Sequence, residues 1–248
     1  MMSPRELIGT HRSWGITERL LMTPDDVPHD ACWYGLMIPH YRSAPGNSTW
    51  ARYEYDSLPS VRSRFLDGTY GWLDDWVAEQ PHLADGSYTN GYAGYFSAAL
   101  KPLQTQAQRL GLKIPDEFIR FFMDARLWRA VPSENYWRLP DQIVVAPNVT
   151  EQFLIMFHSD GQDGRFWYLY LDRSTGKHCV VTSMDCFGID GEETPENESA
   201  VEFCAQTFAE YLFRIWVECS SWDRINQGLP LDPIQQQYLN HYLPNQQK

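Results

Sequence analysis

The chain has 248 residues, 43% hydrophobic and 15% aromatic, which is apolar enough to bury a core and too apolar for a mainly disordered chain. Its formal charge of −12 argues against a nucleic-acid or anionic-membrane binder, because neutralising phosphate needs clustered Lys and Arg. Five cysteines, odd in number and without CxxC spacing, read as reduced thiols, and no stretch nears the roughly 20 apolar residues of a membrane span; a cytoplasmic protein is expected.

Residues 1–96 are aromatic and turn-rich and read as an N-terminal extension or small subdomain. Within them 33–38 and 50–55 are candidate strands, and 58–77 a short helix or two broken near Gly68 and Gly71. Tyr88 to Gly94 reads as turn chemistry. From Ser97, the residues Leu100, Leu103, Ala107 and Leu110 recur on one helical face, with Ser97 as cap, Pro102 in the first turn and Gly111 ending the helix in a left-handed turn. A second helix starts at Pro115, with Asp116 and Glu117 complementing its dipole. Residues 128–140 read as an irregular link, and 142–146 as a strand ended by Pro147.

The clearest signal follows. Apolar runs at 153–157, 166–171 and 179–183 are separated by turns built on Asp160, Gly161 and Gly164, then on Asp172 and Gly176. Strand formers bounded by Gly and Asp predict an antiparallel meander. In the middle run Phe166, Tyr168 and Tyr170 face one way and Trp167, Leu169 and Leu171 the other, so both faces are apolar. That strand is expected to be covered on both faces, or covered on one and used for contact on the other. After an acidic loop, 185–199, a long helix is expected over 199–219, with Val201, Cys204, Phe208, Leu212, Ile215 and Cys219 on one face. The tail from 229 to 248 is Gln- and Asn-rich and is expected to drape on the surface or stay partly loose, with Tyr238, Leu239 and Tyr242 as anchors. Helices before and after a run of strands give an α+β class, an antiparallel sheet flanked by helices.

The 114–122 stretch, Ile-Pro-Asp-Glu-Phe-Ile-Arg-Phe-Phe, resembles the "L-P-x-x-φ-x-x-φ-φ" helix (φ, apolar) of the SUKH superfamily. That superfamily comprises the fungal Smi/Knr cell-wall regulators and many bacterial immunity proteins. The hairpin from Phe157 to Asp172 is similar to its central strands, and Thr207-Phe208-Ala209-Glu210-Tyr211-Leu212 to its closing helix. The resemblance covers roughly 97–222, within an expected core of 97–228. Where the family has an Asn-Gly-Gly-type turn, this chain has Met123 to Trp128. The resemblance implies a non-enzymatic protein-binding module of immunity type, which neutralises a basic, nuclease-type toxin domain. The alternative is a regulatory scaffold like the fungal members. An acidic inhibitor would be drawn to such a toxin by complementary fields.

The candidate partner-binding residues are the acids Asp185, Asp190, Glu192, Glu193, Glu196 and Glu198, with Trp128, Trp137 and Trp167, joined by Tyr136, as aromatic hot spots. For the acids the bland reading is a solvated connection, and for the aromatics ordinary core. No cofactor or metal is expected: His178 and Cys179 adjoin on a strand and point to opposite faces, and Asp160 and Asp163 have turn spacing rather than calcium-loop spacing. A hydrolase with a dispersed site would draw first on Glu117, His158 and Asp172, whose plain alternatives are a capping acid, a strand-end imidazole and a turn acid.

Overall fold

The computed structural model describes residues 22–27, 30–44, 48–78, 93–131, 136–147, 149–188 and 201–243. The meander is present as expected: β5 (Gln152–Ser159), β6 (Phe166–Asp172) and β7 (His178–Ser183) pair antiparallel in sequence order. On one side β5 is paired by two short strands, β3 (Tyr136–Trp137) and β4 (Val144–Val145), which share its outer edge. On the far side β8 (Val201–Ala205) pairs with β7, completing a six-stranded antiparallel sheet. A separate hairpin of β1 (Cys32–Leu36) and β2 (Trp50–Glu54) lies beside β8, joined to it by a parallel bridge from Ala31 to Phe203. With the six α-helices found among the described residues, the fold is α+β.

All seven residues of β6 are buried, and its alternation divides the interior in two. Trp167, Leu169 and Leu171 join a large core with helices α2 (Ala93–Leu110), α3 (Asp116–Met123), α4 (Ala125–Ala130), α5 (Phe208–Asn226) and α6 (Pro233–Asn240). Phe166, Tyr168 and Tyr170 join a smaller core completed by Met22, Val27, Ala146, Phe187 and Phe203. The strand is therefore central, with apolar cover on both faces. Trp33, Leu36, Leu58, Phe65, Tyr70 and Leu73, the last of these on α1 (Trp72–Ala78), belong to the same large core as α5.

Several elements depart from the sequence reading. The long final helix does not begin at Ser199. Val201 and Cys204 lie on β8, and α5 starts only after Thr207, whose side chain accepts the Glu210 backbone N–H. Spacings of three and four residues fit a helix, but β7 offers a free edge, and the Thr207 cap sets the helix start. Helix α2 begins at Ala93, so Ser97 is not its cap and Pro102 is well inside it. Pro102 is on the exposed side, and the buried stripe of Phe96, Leu100, Leu103 and Ala107 offsets its missing N–H. Residues 88–92 of the expected turn lie outside the described residues.

Gly111 does end α2 with φ +71°. Residues 128–130 of the expected irregular link close the helix α4, whose first residue follows Asp124, which accepts the Arg126 N–H as its cap. Helix α4 thus fills most of 123–128, where the SUKH resemblance departs. The tail is described as far as Leu243. Asp232 caps α6, accepting the N–H groups of Ile234 and Gln235, while the Gln235 side chain accepts the Asp232 N–H. Tyr238 and Leu239 are buried, and Tyr242 packs against the same core. Among the described residues, no helix is long and apolar enough to cross a membrane.

Candidate functional site

Of the acids expected at the partner face, Asp185 is half-buried just after β7, and its carbonyl accepts the Tyr168 hydroxyl. Asp190, Glu192, Glu193, Glu196 and Glu198 lie outside the described residues. Two of the aromatic candidates are core. Trp167 is wholly buried, tilted against Tyr34, Trp50 and His158. Trp128 is buried edge-on to Phe96. Neither offers a surface to a partner, because each is the apolar cover of a neighbouring ring. Trp137 is half-buried, stacked 4.2 Å from the His158 ring. Beside it Tyr136 is 56% exposed, and it is the one of these aromatics that faces solvent.

The hydrolase candidates are held in separate structural roles. Glu117 Oε1 accepts the backbone N–H groups of Phe208 and Ala209 at 2.9 and 3.2 Å, closing the N-terminus of α5. Burial pushes its carboxyl up to about 7. His158 Nδ1 is 2.5 Å from the Tyr211 hydroxyl in the large core, where burial lowers its pKa to about 3 and keeps the ring neutral. A bulge in β5 between Met156 and His158 turns both Phe157 and His158 toward α5, which strict alternation does not allow. Asp172 ties the β6–β7 turn. Burial opposes its ionisation, but bonds from Ser174 and Thr175 outweigh that, and its pKa lies below the usual carboxylate value. Asp160 likewise accepts from Gln162 and Gly164 in the preceding turn. Among the described residues no group of three His, Cys, Asp or Glu is placed to hold a metal ion.

The main concentration of buried charge is on α5, which is buried all round from Phe208 to Ser221. Glu210, Arg214 and Glu218 follow at intervals of four, on one face. Arg214 is bound to Glu210 at 2.8 Å and donates to the Pro59 carbonyl and the Tyr238 hydroxyl. Glu210 also accepts the Tyr55 hydroxyl and the Gln206 N–H. One turn on, Glu218 binds Arg42 at 2.5 Å and accepts from Trp33 Nε1, Leu36 N and the Tyr238 hydroxyl. Burial works against the Arg42 charge, but Glu218, Tyr242 and Tyr238 hold its pKa above the usual guanidinium value. The two ion pairs are satisfied by each other and by groups from the N-terminal hairpin and α6, so the ladder clasps three distant segments rather than presenting reactive groups. Gly35 is needed here: a Cβ would collide with Trp33 Nε1 and the Glu218 carboxylate.

Sequence reading misses this ladder because its partners are far apart; Arg42 and Glu218 are separated by 176 positions. The i, i+4, i+8 spacing of Glu210, Arg214 and Glu218 within an otherwise apolar helix is the signal that points to it.

Two open clefts flank the ridge at Pro59 and Ser60. One, of about 330 Å³, has Tyr55, Glu210 and Arg214 in its wall. The other, of about 220 Å³, has a floor of Phe65, Phe213 and Tyr238. A third hollow, of about 390 Å³, notches the sheet edge between β3 and β4. Comparison with protein-family models, with curated proteins and with solved structures gave no match.

Proposed function

We propose that this chain is an acidic, non-enzymatic binding protein of SUKH-like immunity type, which occludes a basic, nuclease-type toxin domain. The observation that carries the reading is the sorting of charge. Among the described residues the buried charged side chains are Arg42, Arg165 and Arg214 against Asp172, Glu210 and Glu218, and these cancel. These six contribute nothing to the chain's net charge of −12. Such an excess speeds encounter with a cationic surface and disfavours anionic partners. The antiparallel sheet flanked by helices is consistent with the resemblance at 114–122, 157–172 and 207–212, and the separate structural roles of Glu117, His158 and Asp172 weigh against a dispersed hydrolase site.

The test is co-expression with any toxin domain that an adjacent reading frame is found to encode. The reading expects survival with this chain present and death without it. Equal killing in both strains rejects it.

A further inference from the structure

The notch between β3 and β4 has a definite chemistry. Its apolar wall is made by Tyr95 and Ala99 of α2, Leu139 and Pro140 of the link, and Met156 of β5. The link is held to α2 by three bonds: the Tyr95 hydroxyl donates to the Leu139 carbonyl, Gln106 Nε2 to the Asp141 carbonyl, and Ile143 N to Gln106 Oε1. The walls are thus fixed in advance of any ligand. Tyr95 is 47% exposed at the mouth, and exposed Tyr136 lies on the adjoining strand.

Two charged groups line the hollow. Arg138 is neutralised by Asp163 at 2.9 Å and lies against the Tyr136 ring. Asp141 is exposed, and among the described residues its carboxylate has no bonded partner. An apolar slot with one unpaired acid in its lining fits a long side chain with an apolar stem and a cationic head.

We infer that this notch receives an Arg or Lys side chain of a basic protein partner, its stem against Tyr95, Leu139, Pro140 and Met156 and its head on Asp141. This rests on the basic-partner reading above and supplies a place for one anchor of that partner. Arginine is a common hot-spot residue because its stem packs while its head binds a carboxylate.

The experiment titrates the full chain with fluorescein-labelled hexa-arginine and, as a neutral control, hexa-asparagine. Three variants are compared after their unfolding curves are shown to match the wild type. Asp141→Asn removes the carboxylate, and Ala99→Trp fills the slot. Glu54→Gln removes an exposed acid from the hairpin beside β8, at the opposite edge of the sheet. Hexa-arginine binding is expected to weaken about threefold in Asp141→Asn and about tenfold in Ala99→Trp, with little change in Glu54→Gln. Equal affinity in the wild type and all three variants, or equal weakening in Asp141→Asn and Glu54→Gln, overturns the notch and leaves the basic-partner reading standing. No preference of the wild type for hexa-arginine over hexa-asparagine overturns both.

Discussion

Replacing Glu117 by Gln tests how burial and helix-end bonding compete at one carboxyl. The Glu117 side chain lies against Gly68 and receives the Phe208 and Ala209 N–H groups at the start of α5. Burial raises its pKa from 4.5 to about 7, so the folded state keeps a proton that the unfolded chain has released over that interval. The stabilising contribution of the protonated group is complete below about pH 4.5 and is lost as pH rises through 7. At about 1.36 kcal/mol for each pH unit, this loss is on the order of 3 kcal/mol by pH 8. A Gln at 117 retains an oxygen that can accept both N–H groups and carries no charge to bury. Urea unfolding of wild type and Glu117→Gln at pH 5, 6, 7 and 8 gives the difference in stability, from which other titrating groups cancel. The variant is expected to match the wild type at pH 5 and to exceed it by about 1–3 kcal/mol at pH 8. A difference that does not change with pH, or a variant less stable at pH 8 than the wild type, refutes the reasoning.

Three further outcomes follow from the ladder and the helix ends. Glu218→Ala leaves Arg42 charged and buried without its carboxylate, and equilibrium unfolding should register a loss of about 3–5 kcal/mol; a loss below 1 kcal/mol would mean that water solvates Arg42. Gly35→Ala drives a methyl into Trp33 and Glu218 and should destabilise by more than about 2 kcal/mol in the same assay; an unchanged midpoint would contradict the packing described. Thr207→Ala removes the acceptor for the Glu210 N–H at the start of α5 and should lower stability by about 1 kcal/mol, measured as a shift in thermal midpoint.

The part of the fold that was legible in the sequence is the part with local rules. Asp160, Gly164, Asp172 and Gly176 mark the turns, so the meander could be read from spacing, while the apolar residues on both faces of Phe166 to Leu171 left open whether the second face is covered or used for contact, which the two cores decide. The junction at Thr207 was not readable by periodicity, because Val201, Cys204 and Phe208 satisfy a helix while pairing with β7 decides for a strand. The bulge at Phe157 is likewise a sheet property that shifts His158 onto the α5 side without a mark in the sequence. Trp128 and Trp167 carry the composition of hot spots, but composition does not report which side of the surface an indole lies on. Asp141 is one acid among many in the sequence, and only the packing of α2 against the link sets it in the lining of an apolar hollow.

The central claim is that the acidic excess of this chain serves to capture a cationic partner. Its most direct measurement is the association rate of this chain with a basic nuclease domain across ionic strength. A steered encounter predicts a rate that falls about tenfold or more as salt rises from roughly 20 to 200 mM, as the Debye length contracts. A rate indifferent to salt, or no complex at the lowest salt, would contradict the account.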